Sequence, residues 1–354
     1  MLHRGASLSQ PPENRNVTRC DPIGGGAGGL GTREYGIVAS ACNCSHRYPN
    51  QALMFNSFGR PMKLLLASVV ITAALAAPAK PPADYVAWQK QRVENLTAEK
   101  GWLTLIGLNW LDVGKFTLGS GADQQIRLSA GPDKLGTIER KASGELIFSA
   151  NAPVLINGVA ARPEVILSTD KNGAKPTEVS IGTLSFLAID RGGKIGLRVK
   201  DSESKTRTEF MGLDYFAYQP SLKIVARYEA YPTVRMLEVA TIIGTVEPTP
   251  NPGRAHFSVA GKNYSFELLE GSDPAHYFTI FGDKTNGKQT YGMARFLTGK
   301  VDEKNKTVTL DFNTAYNPPC AFTEYATCPT PPAGNRIAAK VAAGEKAYRG
   351  ARKE

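Results

Sequence analysis

The chain has 354 residues, with 42 Lys and Arg against 32 Asp and Glu, for a formal net charge of +10. The positive charges are interspersed, with no basic run of the kind that tracks a phosphate backbone, so nucleic-acid binding is set aside. Five cysteines and four histidines show none of the spacings of a closed zinc site, and no metal or cofactor is expected.

Met62-Lys63 precedes an apolar run, Leu64 to Ala77, with small residues at Ala74 and Ala76. A basic start, a short apolar stretch and small residues before the break read as a secretory signal peptide over 62–77, cleaved near Ala76 or Ala77. The run falls short of the roughly 20 residues that a membrane-crossing helix needs. No stable membrane span is therefore expected after cleavage. Residues 1–61 read as a mis-called or disordered extension, and Met1, Met54 and Met62 all stay open as starts. The mature chain is expected to form one β-rich domain over 78–350. It keeps 35 basic and 29 acidic residues and a net charge of +6 once residues 1–76 are removed.

The apolar spacing predicts a helix from Ala83 to Lys100, capped by Asp84, buried through Tyr85, Trp88 and Leu96, and ended by Gly101. From Trp102 the pattern turns to short strands separated by Gly, Asn and Asp turns. Trp102–Leu108, Gly114–Leu118, Glu145–Phe148, Val154–Ile156, Val165–Leu167, Leu184–Ile189 and Ile195–Val199 come first. Asn157-Gly158 signals a type I′ hairpin turn, and Arg191-Gly192-Gly193-Lys194 a second hairpin. Strands continue at Lys223–Tyr228, Leu237–Ala240, Ile242–Val246, His256–Val259, Tyr264–Leu269, Tyr277–Phe281, Gln289–Leu297 and Val308–Phe312. The proline-rich stretch 247–253 reads as a loop joining strands, with a sub-division of the domain there as its alternative. A short helix is predicted over Ala338–Arg349. The fold class is mainly β: antiparallel, sandwich-like or barrel-like sheets between an N-terminal helix and a short C-terminal one.

Polar chemistry is densest between Phe278 and Glu345. Asp283, Arg295, Asp311, Asn313, Asn317 and Arg336 come from separate elements there and are the candidates for a polar ligand pocket. Two converging carboxylates would serve as acid and base, which makes Asp311 and Glu345 catalytic candidates. Cys320 is a third, as a thiolate nucleophile. Cys328 follows it closely, and in an oxidising compartment the pair reads first as a disulfide, worth roughly 2–3 kcal/mol by loop closure. The bland reading of the carboxylates and amides is turn capping through Asx hydrogen bonds.

Over about 102–190 the rhythm of strands faintly resembles a forkhead-associated sandwich. The arginine and Ser-x-x-His that such domains use to hold phosphothreonine have no counterpart here. Over about 85–348 the chain resembles the DUF1684 family, a set of bacterial proteins of undefined function. The resemblance rests on Gly101-Trp102-Leu103, Arg191-Gly192-Gly193, Arg198 with Asp201, and Phe281 and Asp283 with Thr285 and Gly287. It continues at Thr290-Tyr291-Gly292 with Arg295-Phe296. It is strongest at Asp311-Phe312-Asn313, Ala315 to Thr323, Cys328-Pro329 and Ala343-Gly344-Glu345-Lys346. Glu324 stands where the family pattern often has proline. The resemblance implies a domain and no activity. Three functions are therefore expected: an exported protein binding a small ligand, a glycan included; an extracytoplasmic hydrolase; or a structural envelope protein. Location in the periplasm or outside the cell follows from the signal peptide.

Overall fold

Ala83–Thr97 forms the first helix, α1, which buries Tyr85 and Leu96 and exposes its charged residues except Arg92. The structure is a computed structural model that describes residues 79–160, 163–271 and 273–350. The predicted signal peptide and the extension before it lie outside the described residues. All of the described residues belong to one compact unit, Ala73–Glu354. Pro82, not Asp84, holds the cap position of α1. Asp84 sits in the first turn, where its carboxylate accepts from Tyr85 N at 2.9 Å and complements the helix dipole. The helix stops at Thr97, earlier than predicted, and Gly101 has no room for a Cβ against the Asn95 and Leu96 carbonyls.

The next eleven strands make a sandwich. They are β1 (Leu105–Leu111), β2 (Gly114–Gly119), β3 (Ile126–Arg127), β4 (Gly136–Arg140), β5 (Leu146–Ala150) and β6 (Leu155–Ile156). Then come β7 (Val159–Ala160), β8 (Glu164–Ile166), β9 (Glu178–Ile181), β10 (Leu184–Arg191) and β11 (Lys194–Asp201). One sheet has the order β1-β11-β10-β9-β6-β7, the other β3-β2-β4-β5-β8. Alternation along the strands turns Leu118, Ile138 and Phe148 of the second sheet onto Val179, Phe186 and Leu197 of the first. The Phe148 and Phe186 rings meet edge to face at 5.3 Å. Asn157 and Gly158 both have positive φ, 50° and 84°, as the expected type I′ turn requires.

Six more strands close into a barrel: β12 (Lys223–Ala240), β13 (Val246–Val259), β14 (Lys262–Glu270), β15 (His276–Phe281), β16 (Arg295–Asp302) and β17 (Thr307–Asp311). Closure comes from Lys223–Arg227 of β12 pairing with Thr307–Asp311 of β17. Inward positions carry Phe257, Phe266, Phe281, Leu297, Leu310 and Phe312, so side chains fill the barrel.

Beyond the barrel, β12 and β13 run on together as an arm. The register shifts between Ala230 and Arg235, and pairing resumes from Arg235 with Asn251 to Ala240 with Val246. The stretch 247–253 is strand, not loop, and 242–246 is mostly the turn at the tip of the arm, closed by Thr241 and Thr245. Pro248, Pro250 and Pro252 share one parity, so their missing donors all face the same edge. β14 pairs only from Gly253 onward, which leaves that edge open and the ladder to β12 intact. Residues 289–294 are likewise loop, and β16 starts at Arg295.

The predicted C-terminal helix over Ala338–Arg349 is absent. The segment is extended and irregular because its backbone is bonded to other elements instead of to itself. Val341 N donates to Asp283, Glu345 N to Ala315 O, Lys346 N to Asp214 O and Ala347 N to Gln289 O. Gly344 takes φ +77° beside the Phe312 and Ala315 carbonyls, where a Cβ does not fit.

Candidate functional site

Most of the polar residues singled out between 281 and 345 spend their hydrogen bonds on the chain itself. All but Arg336 belong to a buried or half-buried web that ties the C-terminal strap to the barrel. Arg295 is 1% exposed and donates to the Val341 carbonyl at 2.9 Å and to that of Ala343. Its Nη1 lies 3.5 Å from Asp283, which also accepts from Thr285 Oγ1 and Val341 N, each at 2.6 Å. Burial lowers the Arg295 pKa, and Asp283 opposes that shift. Asp311 accepts from Asn313 N and Nδ2 at 3.0 and 2.9 Å, and Asn313 exchanges two hydrogen bonds with the Gln219 backbone. Asn317 gives its Nδ2 hydrogen to Lys346 O and its backbone hydrogen to Glu345. Arg336 is exposed, and its main chain bridges to Gly282.

The catalytic candidates fare alike. The Glu345 side chain has no exposure and is held by Arg92 at 2.8 Å. Asp311 caps a single turn. Cys320 sits at disulfide distance from Cys328, with Cα atoms 6.2 Å apart, and no free thiolate exists while that bond is intact. Among the described residues, no group of three or more His, Cys, Asp or Glu stands together to hold a metal ion. None of their helices is long and apolar enough to cross a membrane.

A cleft of about 390 Å³ opens where the first sheet of the sandwich, the β12/β13 arm and the outer face of the barrel meet. Leu269, Phe278, Ile280 and Phe296 make its apolar barrel wall, and Val239 continues that wall on the arm. Pro319, Thr327, Cys328 and Pro329 close one side. The arm and this loop are tied by Ile242 N donating to Cys328 O and Thr330 N to Ala240 O. The sandwich contributes Trp102, Asp170, Arg191 and Arg198, and the arm contributes Thr241, Glu247 and Thr249.

The two arginines differ. Arg191 ends β10 and grips Asp170 with both Nη atoms, at 2.9 and 2.8 Å, while its Nε donates to Thr327 Oγ1 at 3.0 Å. That charge is neutralised in a bidentate pair. Arg198 stands inside β11, opposite Leu108 and Leu187, and is 7% exposed. Its Nη2 reaches Thr327 Oγ1 at 3.4 Å and its guanidinium lies 5.2 Å from the centre of the Trp102 ring. Its buried Nε has no hydrogen-bond partner. Among the described residues it makes no ion pair within 4.0 Å. Burial, and then the neighbouring Arg191, push its pKa down to about 10, with Asp170 opposing. Across the cleft, the Oε1 atom of Glu247 is buried without a hydrogen bond, 4.0 Å from Arg191 Nε.

None of the expected pocket residues Asp283, Arg295, Asp311, Asn313, Asn317 and Arg336 lines this cleft. Its signal was present in Ile195-Gly196-Leu197-Arg198-Val199. An arginine on a strand flanked by apolar residues is rarely buried without a partner.

No curated protein matches the chain. Among solved structures, an uncharacterized protein of Haloarcula marismortui, determined in solution by NMR, is 27% identical. That match covers 40% of this chain and 78% of the other, with a TM-score of 0.34. Rad53 1-466 in complex with AMP-PNP matches at 9% identity over 62% of this chain and 50% of its own, with a TM-score of 0.14. Neither TM-score carries a fold argument. The model of the family described as "Protein of unknown function (DUF1684)" matches residues 208–346, a shorter span than the resemblance over 85–348. The chain therefore carries a DUF1684 domain, which takes in the barrel, its arm and the C-terminal strap.

Proposed function

We propose that this is an exported small-ligand-binding protein whose ligand carries an anionic group and an apolar body. The observation that carries the reading is Arg198: a guanidinium 7% exposed, without an ion-pair partner among the described residues and with a buried Nε donor left over, facing a cleft. A buried charge without a partner costs several kcal/mol, and a bound anion removes that cost. The cleft is of the size and largely apolar lining typical of small-molecule sites. The reading moves the pocket from the polar residues of 281–345 to the junction of sandwich, arm and barrel. Export is supported by the paired Cys320 and Cys328, since structural disulfides persist in oxidising compartments.

The test is a thermal-shift screen of carboxylates, phosphate esters and neutral disaccharides, run on the protein and on Arg198→Met. Stabilisation by apolar carboxylates or phosphate esters that vanishes in Arg198→Met supports the reading. Stabilisation by disaccharides alone would replace it with a neutral glycan site, where Trp102 would supply a stacking face. The intact mass of the secreted, non-reduced protein tests export. Loss of the chain before Ala77 with no labelled thiol is expected.

A further inference from the structure

Two polar atoms in the cleft are buried without a hydrogen bond, and they have opposite character; Glu247 Oε1 has only a long contact, 4.0 Å, to Arg191 Nε. Arg198 Nε is a cationic donor and Glu247 Oε1 an anionic acceptor. Most of the other polar groups around them are committed. Asp170 is taken up by Arg191, Thr327 Oγ1 by both arginines, and Thr241 Oγ1 by Thr245 Oγ1 at 2.8 Å. With the Arg191–Asp170 pair cancelling, the cleft keeps Arg198 on the sandwich facing Glu247 on the arm, while the third carboxylate, Glu270 at the end of β14, is exposed to solvent at the rim. A purely anionic ligand would satisfy Arg198 and bring like charge towards Glu247. A purely cationic one would do the reverse.

We infer that the ligand is a zwitterion of the amino-acid or short-peptide class, its carboxylate on Arg198 Nε, its ammonium against Glu247 Oε1 and its apolar side chain on Phe278 and Phe296. This rests on the cleft being a ligand site and deepens that reading. Each end of such a ligand meets the group it needs, and its side chain meets the wall that the barrel presents. Selectivity then comes from buried polar atoms that would be left unpaired by a ligand lacking either charge. That is a stronger source of discrimination than the fit of an apolar surface.

The experiment is a calorimetric titration with L-leucine, L-phenylalanine and the dipeptide Leu-Phe. Each is compared with its N-acetylated and its des-amino counterpart. At least one free amino compound is expected to bind tenfold or more tighter than both of its counterparts. In Glu247→Gln that preference falls to about threefold or less, because the free amino compounds lose their ammonium partner and the des-amino acids, freed of the like charge, bind at least as tightly as before. Equal binding of the free, acetylated and des-amino forms overturns the zwitterion and leaves the anion site standing. Binding by none of the carboxylates overturns both. The comparison within each ligand series uses the unaltered protein, so it holds even if the Glu247 variant folds poorly.

Discussion

Arg92 in the first helix and Glu345 in the last segment meet at 2.8 Å, although 253 positions separate them. Glu345 has no side-chain exposure and Arg92 is 14% exposed, so the pair is nearly dry. Arg92 also donates to Asn317 O and lies 4.7 Å from the centre of the Tyr316 ring, while Glu345 accepts from Asn317 N. Removing one partner strands the other charge. Glu345→Ala and Arg92→Met are each expected to cost about 3–5 kcal/mol in urea unfolding. A loss below about 1 kcal/mol would show that the strap does not depend on this pair.

Two tyrosines pack close to the same pair, and they predict the alkaline behaviour. Burial pushes Tyr85 up to about 12, helped by Asp311 and Glu345, and burial also raises Tyr215, whose hydroxyl has no hydrogen-bond partner. The unfolded chain loses these protons near pH 10, whereas the folded chain keeps them. Stability from these groups is therefore complete below about pH 10 and falls as the pH climbs towards about 12. Tyrosinate absorbance and circular dichroism should change together in that window for part of the tyrosine signal. Full, reversible ionisation of all tyrosines with the fold intact would contradict the burial of Tyr85 and Tyr215.

The Cys320–Cys328 bond closes a short loop that forms one side of the cleft and is hydrogen-bonded to the arm. The double variant Cys320→Ala with Cys328→Ala is expected to lose about 2–3 kcal/mol of stability, from the loop-closure argument. Ligand affinity should fall further than stability alone requires, because Thr327 and Pro329 lose their anchor. Unchanged affinity in the folded double variant would separate the loop from the site.

Arg198 predicts a trade between stability and binding. Replacing an unpaired buried cation with an apolar side chain of similar length relieves desolvation, so Arg198→Met should match or exceed the parent in unfolding free energy, by up to about 1–3 kcal/mol. The same variant should bind no anion. Marked destabilisation of the ligand-free protein by this change would mean that Arg198 holds the fold together.

Local signals in the chain were readable where the structure is local. The Asn157-Gly158 turn, the first helix and most of the short strands follow from pattern and turn chemistry. The prolines of 247–253 misled, because only the absence of β14 beside them makes a proline-bearing strand permissible. The Ala-rich stretch 338–349 has helical composition, yet Arg295, Asp283 and Ala315 claim its backbone groups. Asp283, Asn313, Asn317 and Glu345 are visible in the sequence as a concentration of polar groups. Composition alone does not say whether such a concentration binds a ligand or binds the chain to itself. Arg198 was noted as part of a family pattern, but its isolation depends on contacts with Trp102 and Thr327, which lie 96 and 129 residues away.

The most direct measurement is the NMR signal of the Arg198 Nε–H, assigned with the Arg198→Met variant, during titration with apolar carboxylates. The account predicts a saturable shift of that resonance as the donor gains an acceptor, with smaller changes at Arg191, which is already paired. A ligand that binds while the Arg198 signal stays still would contradict the placement of the anion site in this cleft.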